Sequence, residues 1–203
     1  MPRIKVKRKS LPVDMTAMTD VAFLLLTFFI LTATAKQPDP LELKLPSSSY
    51  KIKGPDKDLM VLTIGKGKVF IEVVGQDIRI ATLEKIAAQY KIEFNAEEKK
   101  RFSLIGSFGV PLQNLNSFIK MDATARKSSL METGIPVDST NNQLADWILH
   151  SRQAVAELHG TVMQVSIKAD EEEVYSSVKK IFDILQKQKI NKFGLMTTGE
   201  AVR

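Results

Sequence analysis

The sequence predicts a single N-terminal transmembrane α-helix followed by an exported α+β domain: a mixed-sheet, two-layer fold with a helical insertion. Three observations carry this reading. Residues 15–35 form an apolar stretch with no Lys, Arg, Glu, Pro or Gly. Apolar runs at 59–64, 69–74, 162–168 and 192–198 alternate with helical patterns in the order strand, strand, helix, helical insert, strand, helix, strand. A mixed-sheet α/β sandwich fits the same order. The whole, 203 residues with 44% apolar and 26% charged, has an ordinary globular composition, which excludes disordered, collagen-like and disulfide-stapled classes. With no cysteine, thiolate nucleophiles and thiolate metal sites are excluded too.

The net charge of +6 is unevenly placed. Residues 1–14 carry Arg3, Lys5, Lys7, Arg8 and Lys9 against Asp14, residues 15–35 carry only Asp20, and the rest of the chain is nearly balanced. The basic charge belongs to a tail, so a nucleic-acid-binding face on a domain is not expected.

Met15–Ala35 is long enough as a helix, roughly 30 Å, to cross the hydrocarbon of a bilayer. Five basic residues precede it and only Lys36 follows directly, which orients the N-terminus to the cytoplasm. The alternative is a secreted binding module whose signal peptide, with apolar Val21–Leu31 and the small residues Ala33-Thr34-Ala35, is cleaved before Lys36. Asp20 argues against cleavage, because an acid near an apolar core costs roughly 2.5–3.5 kcal/mol and gains a removed segment nothing. It lies about 7–8 Å along the helix from Met15. Such an acid must face a bundle interior or wet cavity, find a partner, or take up a proton. Thr16, Thr27 and Thr34 fall within about 40° of it on the helical wheel and make a supporting polar face, while Ala22, Leu25 and Phe29 lie opposite.

Beyond the membrane, residues 36–57 form a linker: Gln37–Pro40 is a breaker, Leu41–Leu45 alternates like a short half-exposed strand, and Pro46–Lys57 is rich in Ser, Pro and Lys. That strand is a candidate for exchange in a dimer, for capture of a partner peptide, or for simple pairing within its own domain. The domain proper spans 58–203. Leu59–Ile64 and Val69–Val74 are joined by Gly65-Lys66-Gly67-Lys68, a hairpin signal. Thr82–Lys91 puts Leu83, Ile86, Ala87 and Tyr90 on one helical face. Asn95 with Glu98 is a capping box, and Pro111 leads a segment with Leu112, Leu115 and Ile119. Asp138–Thr140 precede a long helix whose apolar positions are Leu144, Trp147, Ile148, Val155 and Leu158, with Trp147 as a core anchor. Val162–Lys168 is a strand; Asp170 with Glu173 caps a helix with an apolar face of Val174, Val178, Ile181, Phe182 and Leu185; Lys192–Thr198 closes as a strand.

Chemistry-bearing motifs are missing from this domain. His150 and His159 would point about 180° apart on one helix, which disfavours a metal pair. No G-x-S-x-G, H-E-x-x-H or phosphate-loop pattern occurs, and Asp170–Glu173 reads as favourable charge at a helix start. No enzyme is expected.

Val13-Asp14-Met15-Thr16-Ala17-Met18-Thr19-Asp20-Val21, followed by Phe23-Leu24-Leu25-Leu26 and Phe28-Phe29-Ile30, resembles the ExbD/TolR family. That family's motif has Asn where this chain has Asp14 and Pro where it has Ala17. The resemblance resumes at Val165–Asp170, the amphipathic helix after it and Ile190–Thr197, with no likeness between about 95 and 160, which reads as an insertion. It implies an inner-membrane protein of bacteria with a cytoplasmic N-terminus and a periplasmic domain. Asp20 would be its proton-carrying carboxylate and Thr16 the motif threonine. It also implies a homodimer within an ExbB/TolQ-like polytopic pentamer, output to a TonB- or TolA-like transducer or the cell wall, and protons as coupling ion with no cofactor or metal.

Overall fold

A computed structural model describes residues 15–33, 41, 43–48, 55, 57–128, 132–138 and 141–199. The chain divides into two units, Met1–Pro38 and Asp39–Arg203.

Among the described residues of the first unit there is one helix, α1 (Met15–Thr32). The Ala33 N–H still bonds Phe29 O at 2.9 Å, so the helical ladder runs to the last described residue of this segment.

The second unit is built on a five-stranded sheet. Its elements in chain order are β1 (Ser47–Ser48), β2 (Leu59–Gly65), β3 (Lys68–Val73), α2 (Gln76–Tyr90), α3 (Ala96–Ser103), β4 (Ser107–Phe108), α4 (Leu112–Lys120), α5 (Ala123–Ser128), α6 (Gln143–His159), β5 (Gln164–Ala169), α7 (Tyr175–Lys187), β6 (Gly194–Leu195) and β7 (Thr198–Gly199). The main sheet has the order β4-β3-β2-β5-β6, and β1 pairs with β7 separately. The β2–β3 and β3–β4 pairings are antiparallel; β2–β5 and β5–β6 are parallel. This is the expected mixed-sheet α+β domain.

Register sets the core. Leu62 lies opposite Ile71 on β3 and Ile167 on β5, and the same parity gathers Met60, Ile64, Val69, Val73 and Val165. These join Leu83 and Ile86 of α2, Leu115 of α4, Trp147 and Ile148 of α6, and Ile181 and Leu185 of α7 in one buried cluster. Trp147 is the anchor that the sequence suggests: its ring sits 5.9 Å from Phe102 and 4.9 Å from Phe108. The segment 95–160 therefore supplies much of the core, and α6 packs on α2.

Arg79 in α2 fastens that segment to the sheet. Its Nε donates to Val73 O at 2.6 Å, and its Nη1 donates to Ser103 O and Ile105 O at 2.7 and 2.9 Å. Burial pulls its pKa down, and nearby Glu72 opposes that. The capping box at α3 is present, with Asn95 N donating to Glu98 Oε2 at 2.9 Å; that bond, first among its neighbours, holds the Glu98 carboxyl below its usual range.

Several elements differ from expectation. Leu41–Leu45 makes no strand among its described residues. Leu41 and Leu43 instead lie so close over Gly65 that a Cβ there would meet their methyl carbons at 2.5 and 2.4 Å, and the pairing falls later, at Ser47–Ser48. Within this chain the segment packs on its own domain: Glu171 N bonds Lys44 O at 2.8 Å. The helix after β5 starts at Tyr175, so Asp170 does not cap it. Asp170 closes a turn of its own, accepting Glu172 N at 3.2 Å, and Glu173 accepts Gly67 N of the hairpin turn. Val174 consequently stands outside the helix and is 65% exposed, and Leu158 is half exposed where α6 outruns the core. The closing segment splits into β6 and β7, which pair with different partners.

Candidate functional site

α1 is apolar except for Asp20 and its threonines. None of its residues is buried, and Phe23, Leu24, Leu25, Leu26, Phe28, Phe29 and Ile30 are all more than half exposed. Eighteen residues span about 27 Å, close to the hydrocarbon thickness. A helix of this kind needs lipid or other helices around it.

Asp20 is the one charged residue within α1. It follows Thr16 by one turn on the same face and is exposed. Among the described residues no side chain pairs with its carboxylate. Thr27 lies on the same face, half-exposed, but its hydroxyl turns back to Leu24 O at 2.9 Å; Thr32 does likewise to Phe28 O at 2.8 Å. Thr27 therefore spends its donor on its own helix and offers lone pairs only. Thr34 and Asp14 lie outside the described residues. Asp20, Thr16 and Thr27 thus share one face of α1.

In the α+β domain the histidines go to separate places, His150 to Gln89 and Gln153 and His159 to Asp58 and Asp77. Tyr90 donates to Asp146 across the α2–α6 contact at 2.5 Å, and burial together with that carboxylate pushes its hydroxyl up to about 12. Among the described residues no three His, Asp or Glu side chains converge as a metal site. Asp58 and Asp77 escaped the sequence reading: they stand 101 and 82 residues from His159, and no local pattern marks them.

An N-terminal helix long and apolar enough to cross a membrane, carrying one acid and followed in the chain by a mixed-sheet α+β domain, is consistent with a membrane-anchored protein. A family model described as biopolymer transport protein ExbD/TolR matches residues 7–200, and the chain belongs to that family. The match runs through 95–160, where the sequence by itself showed no likeness. No curated protein and no solved structure matches the chain. The family consists of inner-membrane accessory components that energise biopolymer transport with ExbB/TolQ- and TonB/TolA-type partners, not of enzymes.

Proposed function

We propose that this chain is the proton-carrying component of a motor driven by the proton motive force, with Asp20 as the carrier. One observation carries the reading: a lone carboxylate on a lipid-length helix that no side chain among the described residues pairs. A charge so placed must be met by another subunit or be neutralised by a proton. Alternate protonation changes which neighbour the Asp20 face prefers, and so biases rotation or sliding of α1 within surrounding helices. Moving one charge across the membrane yields about 2.3 kcal/mol per 100 mV. That is enough to tilt a two-state helix position some fifty-fold.

A single helix cannot enclose a proton path, so the reading requires an ExbB/TolQ-like polytopic pentamer around α1. The basic tail supports a cytoplasmic N-terminus and a periplasmic domain, and output then goes to a TonB- or TolA-like transducer or the cell wall. A homodimer fits the sheet: β6 ends it, Leu195 on that edge is 56% exposed, and Phe193 beside it stacks on Phe182 at 5.1 Å. Retention of α1 is supported by the family match, which begins at residue 7. Cleavage before Lys36 would instead leave that lysine first, and the intact mass of the native protein separates the two.

The test is Asp20→Asn in cells. The variant is expected to insert and to co-purify with the polytopic partner at unchanged copy number, two of this chain per complex, while energised transport is lost. Full transport by that variant would refute the reading.

A further inference from the structure

The α+β domain holds a charged cluster that proton carriage by Asp20 does not use. His159 stands in the last turn of α6, Asp77 in the first turn of α2, and Asp58 directly before β2. Nδ1 of His159 meets Asp58 Oδ1, and its Nε2 lies 3.0 Å from Asp77 Oδ2. Thr161 donates to the second Asp58 oxygen at 2.8 Å. An ionised carboxylate only accepts, and a neutral imidazole has a single N–H. A ring with carboxylates at both nitrogens needs both protons, so the arrangement is that of an imidazolium.

The surroundings agree. A cation is favoured at the end of a helix and an anion at the start of one. The Asp58 bond, and next the Asp77 bond, raise the His159 pKa above its ordinary value. The bonds from His159 and Thr161 hold Asp58 low. Burial pushes Asp77 up, but the Ile78 N–H and His159 outweigh it and leave it lowered. The charged groups facing the imidazole are Asp58 from the start of β2 and Asp77 from α2; Glu157, on α6 itself, is engaged with Lys85 at 2.7 Å.

We propose that His159 is a pH-operated clamp: as an imidazolium it fastens the starts of β2 and α2 to the end of α6, and loss of one proton frees Asp77. The contact that gives way follows from burial. The Asp58 side chain is 19% exposed and also tied to Thr161, whereas that of Asp77 is 55% exposed. The remaining N–H stays on Nδ1, the bare Nε2 faces a carboxylate, and Asp77 moves away with the first turn of α2. Because the folded pKa of His159 is raised, the clamp is complete below the ordinary value near 6.5 and is lost as pH rises through the folded value. The lowered aspartates give the acid edge, where the clamp is lost as pH falls through their folded values, below 3.8.

The test is an NMR titration of the histidine rings in the full chain in detergent micelles. Only two histidines are present, and His150→Gln assigns His159. The expected result is a His159 midpoint above 6.5, with both ring nitrogens protonated below it. Asp77→Asn is expected to move the midpoint down, and Asp58→Asn to move it further. Thermal stability of the wild-type chain should fall across the same interval, and His159→Gln should flatten that fall. A midpoint at or below 6.5 that ignores Asp77→Asn would overturn the clamp. Should Asp58→Asn fail to fold, Asp77→Asn, on the more exposed partner, decides alone. The titration reads the clamp whether or not Asp20 carries protons.

Discussion

Replacing Arg79 by Met should unfasten the 95–160 segment from the sheet. The guanidinium makes three bonds to main-chain oxygens: Val73 at the end of β3, Ser103 at the end of α3 and Ile105 just beyond it. Hydrogen bonds to charged groups contribute about 1.5–3 kcal/mol each, and three sharing one half-buried head do not add fully. Loss of all three, with carbonyls left short of donors, should cost about 3–5 kcal/mol, a large share of the 5–15 kcal/mol typical of a domain. At about 2–4 °C per kcal/mol for a domain of this size, the melting temperature should drop by roughly 10 °C. Met keeps most of the stem's packing, so the deficit reports the donors. Arg79→Lys, with a compact ammonium that cannot span all three oxygens, should fall between. The readout is built in: Trp147 is the chain's only tryptophan and is 1% exposed, so its fluorescence follows unfolding of the domain in the detergent-solubilised full chain. A Met variant melting within about 2 °C of wild type would refute the fastening role. Equal losses for Lys and Met would refute the argument from fork geometry.

Gly109→Ala should destabilise by about 1–3 kcal/mol, because its Cβ would sit 2.4 and 2.7 Å from ring carbons of the buried Phe70. Gly67→Ala meets nothing within 4 Å and carries only the strain of its φ of +69°, about 1–2 kcal/mol; a Gly109→Ala variant that melts with the wild type would contradict the packing argument. Tyr90, pushed up to about 12, should ionise as a late step in an ultraviolet pH titration, and Tyr90→Phe should delete that step. With a raised folded pKa, its contribution to stability is present below pH 10 and lost as pH climbs through about 12. A titration that Tyr90→Phe leaves unchanged above about pH 11 would contradict the Asp146 contact.

Features fixed by neighbours in sequence were legible, and features fixed by distant contacts were not. The Gly65–Lys68 turn, the Asn95–Glu98 box and the Met15–Thr32 helix each carry a local signal strong enough to define them. α2 begins at Gln76, six residues before the expected start: its N-cap is Gly75 with φ 109° and no side-chain cap, so no capping residue in the sequence marks the first turn, although Ile78 there joins the core. β4 has two residues, too few to show alternation. Leu41–Leu45 does alternate, but packing on the bare backbone at Gly65 holds it where a ladder was expected. The 192–198 run looks continuous, yet Met196 N bonds Ile167 O while Thr198 N bonds Pro46 O, so one sequence run serves two sheets. In the site, Asp20 stood out because a charge in an apolar helix is conspicuous by composition alone. Helical spacing puts Thr27 on the Asp20 side of α1, but its bond to Leu24 O depends on rotamer, which spacing does not encode. His159 was weighed as a metal ligand, since its carboxylate partners arrive from elements far away in sequence.

Proton flux through the assembled complex tests the role of Asp20 most directly. The complex of this chain with its polytopic partner is reconstituted into liposomes, a potential of about 100 mV is imposed, worth about 2.3 kcal/mol per charge, and internal pH is followed with a trapped dye. The wild-type complex should acidify or alkalinise the lumen in the direction of the potential, and the Asp20→Asn complex, assembled at the same copy number, should not exceed empty liposomes. Equal flux from both complexes would contradict Asp20 as the carrier.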